Sequence, residues 1–524
     1  MSASPAASSA AWTPSRVRCT RASPARAWRC PARRLDRRLD RRGRIARASD
    51  ADSVAGSASY RDLLDAKVAR TRELFGDLLP PEGLEVYASP RTRGFRQRCR
   101  FAVVREGASG AGDVSPEELV VAPSSVGSGN LRYALFERGR VVVLDARDAN
   151  AFTAASRAIA ELMPRVLDAL NDLDKRTRTN ASGIVRDPSP LTENLSAVGF
   201  LSNRAGDVVV TLWNGTNKRG VKRTKRESDA FDERWEAAAI AFRESLEPYG
   251  VKGVVSRRRR KTLASGADRV WEETAVPSFS SLMSKKTKKT DASADDDRDD
   301  RDDVDTLRLS MVEGAFSNPN ADVAERTAAW LRETAIRALA DREDAGGADA
   351  PAGPTEEKTK KEKKKTSLVE LYCGNGTHTV NLARAFHAVT AVEIEPRLCA
   401  AAEENFAANG VTNARVQATP AETFSARRSA SGDDDDDAET NETETTDDFI
   451  LVDPPRAGLD PVTLSLVRRY RTIVYIACDS RSLVRDLRER KLSQTHELKR
   501  AAVFDHFPYS EFCEVVVWAE RRKK

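Results

Sequence analysis

The sequence predicts an α/β protein, with a C-terminal doubly wound, Rossmann-like domain behind an N-terminal α+β module. Three observations carry that prediction. From residue 368 to 491, short apolar runs alternate with amphipathic stretches, the pattern of a parallel sheet covered by helices. A glycine-containing turn, Tyr372-Cys373-Gly374-Asn375-Gly376-Thr377, joins the first run to the first helix. Two later runs end abruptly, one in Asp453-Pro454-Pro455 and one in Cys478, and deliver a carboxylate and a thiol to the carboxyl edge of the sheet, where such folds do their chemistry.

Taken in order, residues 1–55 are rich in Ser, Ala, Pro and Arg and hold no acid before Asp36. That is the composition of an organellar transit peptide, and the Ser/Ala-rich opening favours a chloroplast over a mitochondrion. A basic RNA-binding arm is the alternative. Leu63, Leu64, Val68, Leu74, Phe75 and Leu78 then recur at helical spacing up to Pro80-Pro81, so a domain begins near residue 60. To residue 284 it reads as an α+β RNA-binding domain, with β-type runs at 98–104, 118–122, 131–137, 140–144 and 208–212 and helices at 152–170 and 231–246. Lys218, Arg219, Lys222, Arg223, Lys225 and Arg226 form one basic cluster and residues 257–261 another. Either alone is equally a solvated face; with Arg91, Arg93, Arg96, Arg98 and Arg100 they favour a phosphate-binding surface.

Three polar segments, 285–305, 345–365 and 429–448, are too charged to bury and read as disordered insertions. The C-terminal Rossmann-like domain spans 306–524: helix 322–341, strand 368–372, helix 377–386, strand 389–394, helix 397–409, strand 449–453, helix 462–469, strand 472–478 and helix 480–491. Two terminal β runs, 499–504 and 513–519, suggest an antiparallel edge. No apolar run reaches the roughly 18 to 20 residues that span a bilayer, so a soluble protein without membrane association is expected. The seven cysteines show no metal-binding spacing, and no metal is expected.

Gly374 and Gly376 let a ligand approach the backbone, but Thr379 stands where a dinucleotide fingerprint needs its third glycine. Glu393, about twenty residues on at the end of the second strand, suits the two ribose hydroxyls of an adenosine; a plain surface acid before Pro396 is the alternative. With Asp453-Pro454-Pro455 at the same edge, the ligand indicated is S-adenosylmethionine rather than a nicotinamide cofactor. Cys478 opens a helix, a position that raises the thiolate fraction, although a cysteine ending a buried strand is commonly a plain core residue.

Several motifs, in order across both halves, raise these readings to a family resemblance. Glu370-Leu371-Tyr372-Cys373-Gly374-Asn375-Gly376, Val452-Asp453-Pro454-Pro455-Arg456-Ala457-Gly458-Leu459 and Phe504-Asp505-His506-Phe507-Pro508-Tyr509, with Ser89-Pro90 and residues 95–101 upstream, resemble the tRNA (uracil-5-)-methyltransferases of the TrmA type. The resemblance implies S-adenosylmethionine-dependent methylation of C5 of the T-loop uridine of tRNA, forming 5-methyluridine. It implies cofactor binding by Asn318, Tyr372, Thr377, Glu393 and Asp453, with Cys478 as nucleophile and Glu514 as base. Phe95 becomes a candidate for stacking on an unstacked base, with Arg96 and Arg98 on phosphates; a strand-core aromatic is the alternative for Phe95. A monomer is expected, with tRNA as the partner.

The chain departs from the family's usual residues at Asn318 (Gln), Asp479-Ser480 (Asn-Pro) and Phe512 (His). Asp479 places negative charge beside the nucleophile and would oppose its ionisation. The same chemistry on ribosomal RNA is one alternative, without the four-cysteine cluster and N-terminal barrel common among those enzymes. A tRNA-binding or folding module without catalysis is another.

Overall fold

The computed structural model describes residues 59–106, 129–137, 140–148, 150–178, 189–214, 225–258, 261–288, 304–315, 317–345, 366–430 and 446–522. Residues 1–55, expected as a transit peptide, the β run expected at 118–122, Lys218 to Arg223 and most of the three polar insertions lie outside these residues.

In chain order, β1 (Glu85–Tyr87) is followed by β2 (Arg98–Arg105), β3 (Leu131–Glu137), β4 (Arg140–Leu144), β5 (Leu195–Ser202), β6 (Val208–Asn214), β7 (Val251–Arg258) and β8 (Lys261–Gly266). The last seven form one sheet in the order β4-β3-β2-β5-β6-β7-β8. Its pairings are antiparallel except β6 with β7, which the helix Lys225–Leu246 connects. That helix and Arg157–Arg178 supply Trp235, Phe242, Ile159 and Leu170 to a core that includes Phe101, Tyr133 and Phe200. Strands and helices thus build the α+β module that the sequence suggests.

A two-stranded ribbon, β9 (Arg269–Pro277) against β10 (Val304–Val312), leads to the second sheet. Its backbone is fastened by side-chain amides: Ser310 N donates to Asn405 Oδ1 at 2.7 Å and Asn375 Nδ2 to the Ser310 carbonyl at 2.7 Å. The second sheet contains β11 (Thr366–Leu371), β12 (Ala388–Glu393), β13 (Ala414–Ala418), β14 (Thr446–Val452), β15 (Thr472–Ala477), β16 (His496–Phe504) and β17 (Glu514–Arg521). The order is β1-β16-β17-β15-β14-β11-β12-β13. Strands β11 to β15 run parallel, and β11, β12, β14 and β15 carry the apolar runs expected of a sheet buried on both faces. Phe449, Ile450, Leu451 and Val452 are each 0% exposed, and burial of such a side chain is worth roughly 1.5–3 kcal/mol.

The division of the chain differs from the sequence reading in three respects. Residues 60–87, grouped there with the RNA-binding domain, pack on the second sheet. Leu64, Val68, Phe75 and Leu84 share a core with Ile450, Val452 and Tyr475, and β1 pairs in parallel with β16. The terminal β runs do add antiparallel strands to the parallel sheet, β17 pairing antiparallel with both β15 and β16, but β1 rather than either of them takes the outermost position. The polar insertions are also shorter than their composition suggests. Residues 285–288 continue the helix Phe279–Lys288, and 304–305 open β10, where Asp305 pairs with Arg332 at 2.6 Å and Arg384 at 3.3 Å. Residues 429–430 end the helix Ala421–Ala430, and 446–448 begin β14.

Candidate active site

The carboxyl edge of the second sheet divides into two parts. At the first, β11 ends in a turn where Tyr372, Gly374 and Gly376 take φ of 63°, 57° and 73°. A Cβ on Gly374 would meet nothing within 4 Å, whereas one on Gly376 would lie 2.7 Å from Phe406 Cε1. Gly374 leaves open space over the turn, and Gly376 permits close helix packing. Burial pushes the Tyr372 phenol up to about 12, while its hydrogen bond to Thr463 works the other way. Thr377 opens the helix Thr377–Leu382 and donates Oγ1 to Asn375 Oδ1 at 2.8 Å. Glu393 is 9% exposed and oriented by three backbone donors: Oε2 accepts from Gly374 N at 3.0 Å, and Oε1 from Ile394 N at 2.8 Å and Glu395 N at 2.9 Å.

Behind this turn lies Glu370, which the sequence reading gave no role. It is 1% exposed, accepts from Thr379 Oγ1, and has Oε1 unpaired among the described residues. Burial pushes its carboxyl up to about 8, with the Glu393 charge adding to the effect. Asn318, between β10 and the helix Ala321–Ala345, also holds a buried Oδ1 with no partner among the described residues. The acceptors Glu370 and Glu393 border this turn, so the cradle suits a ligand bearing hydroxyls. It opposes the pyrophosphate of a dinucleotide.

At the second part, Asp453, Cys478 and Glu514 are brought together at the ends of β14 and β15 and the start of β17. Their proximity is seen in their mutual effects. Burial raises the Asp453 carboxyl well above its ordinary value, and the charges of Glu514 and Glu370 add to this. Burial also pushes the Cys478 thiol up; Asp453 and Glu514 reinforce it, while the charge and hydrogen bond of Arg456 oppose it. The lowering expected from the helix N-terminus is therefore outweighed. Asp479 has a different part from the one its position suggests. It caps the helix Ser480–Arg488 by accepting from Arg481 N at 3.1 Å, pairs with the Arg481 side chain at 3.1 Å, and is held below its ordinary value.

Glu514 is 5% exposed, and burial alone would raise its carboxyl. His506 Nε2, 3.3 Å from Oε1, and the more distant His378 outweigh that and hold it below its ordinary value. Register places these groups together, because Phe504 on β16 pairs with Glu514 on β17 and His506 follows two residues later. Arg456 reaches over the Phe512 ring, 5.0 Å from its centroid. Arg456 and His506 fall within motifs visible in the sequence but carry no signal there of what they contact; His378, one residue past Thr377, has no separate signal.

The expected RNA-side residues are placed apart from one another in exposure. Phe95 is only 3% exposed, buried as its alternative has it, although it lies in the segment before β2 and not on a strand. Arg96 donates Nε to the Arg98 carbonyl at 2.9 Å. Burial pushes Arg98 down to about 10, and its Nη2 has no partner among the described residues. Arg100, more exposed, lies 4.4 Å from the Trp213 ring centroid.

A family profile described as tRNA (Uracil-5-)-methyltransferase matches residues 357–522. The tRNA/tmRNA (uracil-C(5))-methyltransferase of Chromohalobacter salexigens is 31% identical over 470 residues, covering 88% of this chain and 96% of that protein. The protein of the same description from Pseudomonas paraeruginosa is 30% identical, covering 89% and 98%. Among solved structures, Pyrococcus abyssi tRNA (uracil-54, C5)-methyltransferase in complex with S-adenosyl-L-homocysteine aligns over 88% of this chain and 83% of that one, with 15% identity and a TM-score of 0.46.

Proposed function

The chain belongs to the tRNA (uracil-5-)-methyltransferase family, and on that premise we propose that it methylates C5 of the T-loop uridine of tRNA with S-adenosylmethionine. The observation that carries the chemistry is the convergence of Cys478, Asp453 and Glu514 on one edge, next to a turn with open space over Gly374. Asn318, Tyr372, Thr377, Glu393 and Asp453 hold the cofactor in this reading. Bound there, S-adenosylmethionine supplies an electrophilic methyl group on a sulfonium.

The protein's part is to make C5 of uracil nucleophilic and then to release the product. Uracil C5 is a poor nucleophile until a thiolate adds to C6, which places negative charge on O4 and C5. Cys478 makes that bond, with Arg456 stabilising the thiolate against the burial that raises its pKa. After C5 has been methylated, Glu514, held ionised by its imidazole neighbours, removes the remaining C5 proton. The electron pair re-forms the C5–C6 double bond and expels the thiolate. Arg96 and Arg98 serve the phosphate backbone, while Phe95 must leave its core position to stack on a base. The leader, residues 1–55, directs the chain to an organelle in this reading, the chloroplast before the mitochondrion.

The test is incubation with labelled S-adenosylmethionine and unmodified tRNA and ribosomal RNA in the same assay, followed by nucleoside analysis. 5-Methyluridine in the T-loop of tRNA is expected. Product confined to ribosomal RNA, or absent from both, would sink the reading.

A further inference from the structure

Glu514 is held by a hydrogen bond whose direction the surroundings settle. His506 is 0% exposed, with Nε2 3.3 Å from Glu514 Oε1 and 3.4 Å from Thr327 Oγ1. The Thr327 hydroxyl donates to the Val323 carbonyl at 3.1 Å, leaving its oxygen to accept, and an ionised carboxylate can only accept. Both neighbours therefore call for the proton on Nε2. Nδ1 is buried without a partner among the described residues, so the ring meets the acid through Nε2. The preceding residue prevents the imidazole from sliding away: Asp505 accepts from Lys67 Nζ at 2.7 Å and from Tyr60 OH at 2.9 Å.

We propose that His506 is a positioning residue for the base, its Nε2–H fixing one oxygen of Glu514 and keeping the carboxylate ionised so that the other oxygen takes the C5 proton. This rests on the reading of Glu514 as the base. In the step concerned, the C5–H bond breaks and its proton passes to Glu514. The bonding pair forms C5=C6, the C6–S bond breaks, and Cys478 leaves as thiolate. The groups facing the pair are His378 from the helix Thr377–Leu382, Thr327 from the helix Ala321–Ala345, Asp453 after β14 and Cys478 after β15. Lys67 and Asp505 lie in the adjoining ion pair. Without the Nε2–H donor, burial works against ionisation of Glu514, so the ionised base appears only at higher pH.

The experiment compares His506→Leu, which removes the donor, with His506→Gln, which can present an amide N–H. Tritium release from tRNA carrying 5-tritiated uridine is measured across pH, and covalent RNA–protein complexes are followed by gel. His506→Leu is expected to slow tritium release about tenfold or more, to move the acid limb of the profile to higher pH, and to accumulate the complex. His506→Gln is expected to recover most of the rate. Complex formation with 5-fluorouridine tRNA, which stops before proton removal, should proceed in both variants and reports an intact fold. If the Leu variant fails to form it, His506→Asn, with a donor too short to reach, takes its place against Gln. Wild-type release by the variant without an effective donor, or equal rates in that variant and Gln, overturns the proposal. Glu514→Gln is run alongside and must accumulate complex on ordinary tRNA; if it does not, the base assignment fails irrespective of His506.

Discussion

The two parts of the carboxyl edge hold their charges in opposite ways. At the β11–β12 end, Glu393 is bound by three backbone N–H groups, and Thr377 and Asn375 are tied to each other and to β10. At the β14–β15–β17 end, the functional groups depend on side chains: Cys478 on Asp453 and Arg456, Glu514 on His506, Asp453 on Glu514. Backbone donors are fixed once the fold forms, whereas mutually dependent side chains shift together when one is changed. In the proposed reading, binding is therefore local to the first end and reactivity is a collective property of the second.

The largest expected effect separates the two ends directly. Cys478→Ala should reduce methylation by more than about 10⁴-fold with S-adenosylmethionine affinity unchanged by calorimetry. Glu393→Ala should weaken that affinity about ten- to a hundredfold and leave turnover at saturating cofactor near normal. Loss of turnover with unchanged affinity in Glu393→Ala would erase the distinction.

Next in size is the link from the reactive end to the helix Tyr60–Phe75. Lys67 and Asp505 form an ion pair with side chains only 2% and 0% exposed. Lys67→Met leaves Asp505 charged and buried, so the unfolding free energy from urea titration should fall by about 3–5 kcal/mol. A change below about 1 kcal/mol would show that this end does not depend on the N-terminal helix.

The smallest effects test which charge governs the thiol. Alkylation of Cys478 by iodoacetamide, followed by peptide mass spectrometry, should slow about three- to tenfold in Arg456→Met. Asp479→Asn should change it by less than about twofold, because Asn caps a helix as well as Asp does. A large gain in Asp479→Asn would restore the adjacent acid as the controlling charge.

Much of the catalytic half was legible in the sequence because its strands are continuous apolar runs with abrupt polar ends. β14 and β15 were found within a few residues, along with Asp453 and Cys478 at their ends. β13 was missed because Ala414–Ala418, at the sheet edge, has no fully buried residue and no apolar run. β1 was missed for another reason: three residues acquire strand character only by pairing with β16, over 400 positions away in sequence. The same distance conceals Lys67 from Asp505. Phe95 was identified by its motif, but burial is a tertiary property, and its 3% exposure could not be read from neighbours in sequence. His506 was visible as a letter; its bond to Glu514 depends on the pairing of β16 with β17.

The parallel pairing of β1 with β16 has a consequence for biosynthesis. A ribosome makes the helix Tyr60–Phe75 and β1 first, and must then make the whole seven-stranded module before the strand that β1 will flank exists. Until then, Leu64, Val68 and Phe75 have no core to enter, and the nascent chain carries an apolar helix face awaiting its partner. Cutting the chain near residue 306 would likewise leave β16 as a bare outer strand, open to pairing with another copy. The seven-stranded module is in this sense a guest within the catalytic domain, and its host closes only after β16 has been made.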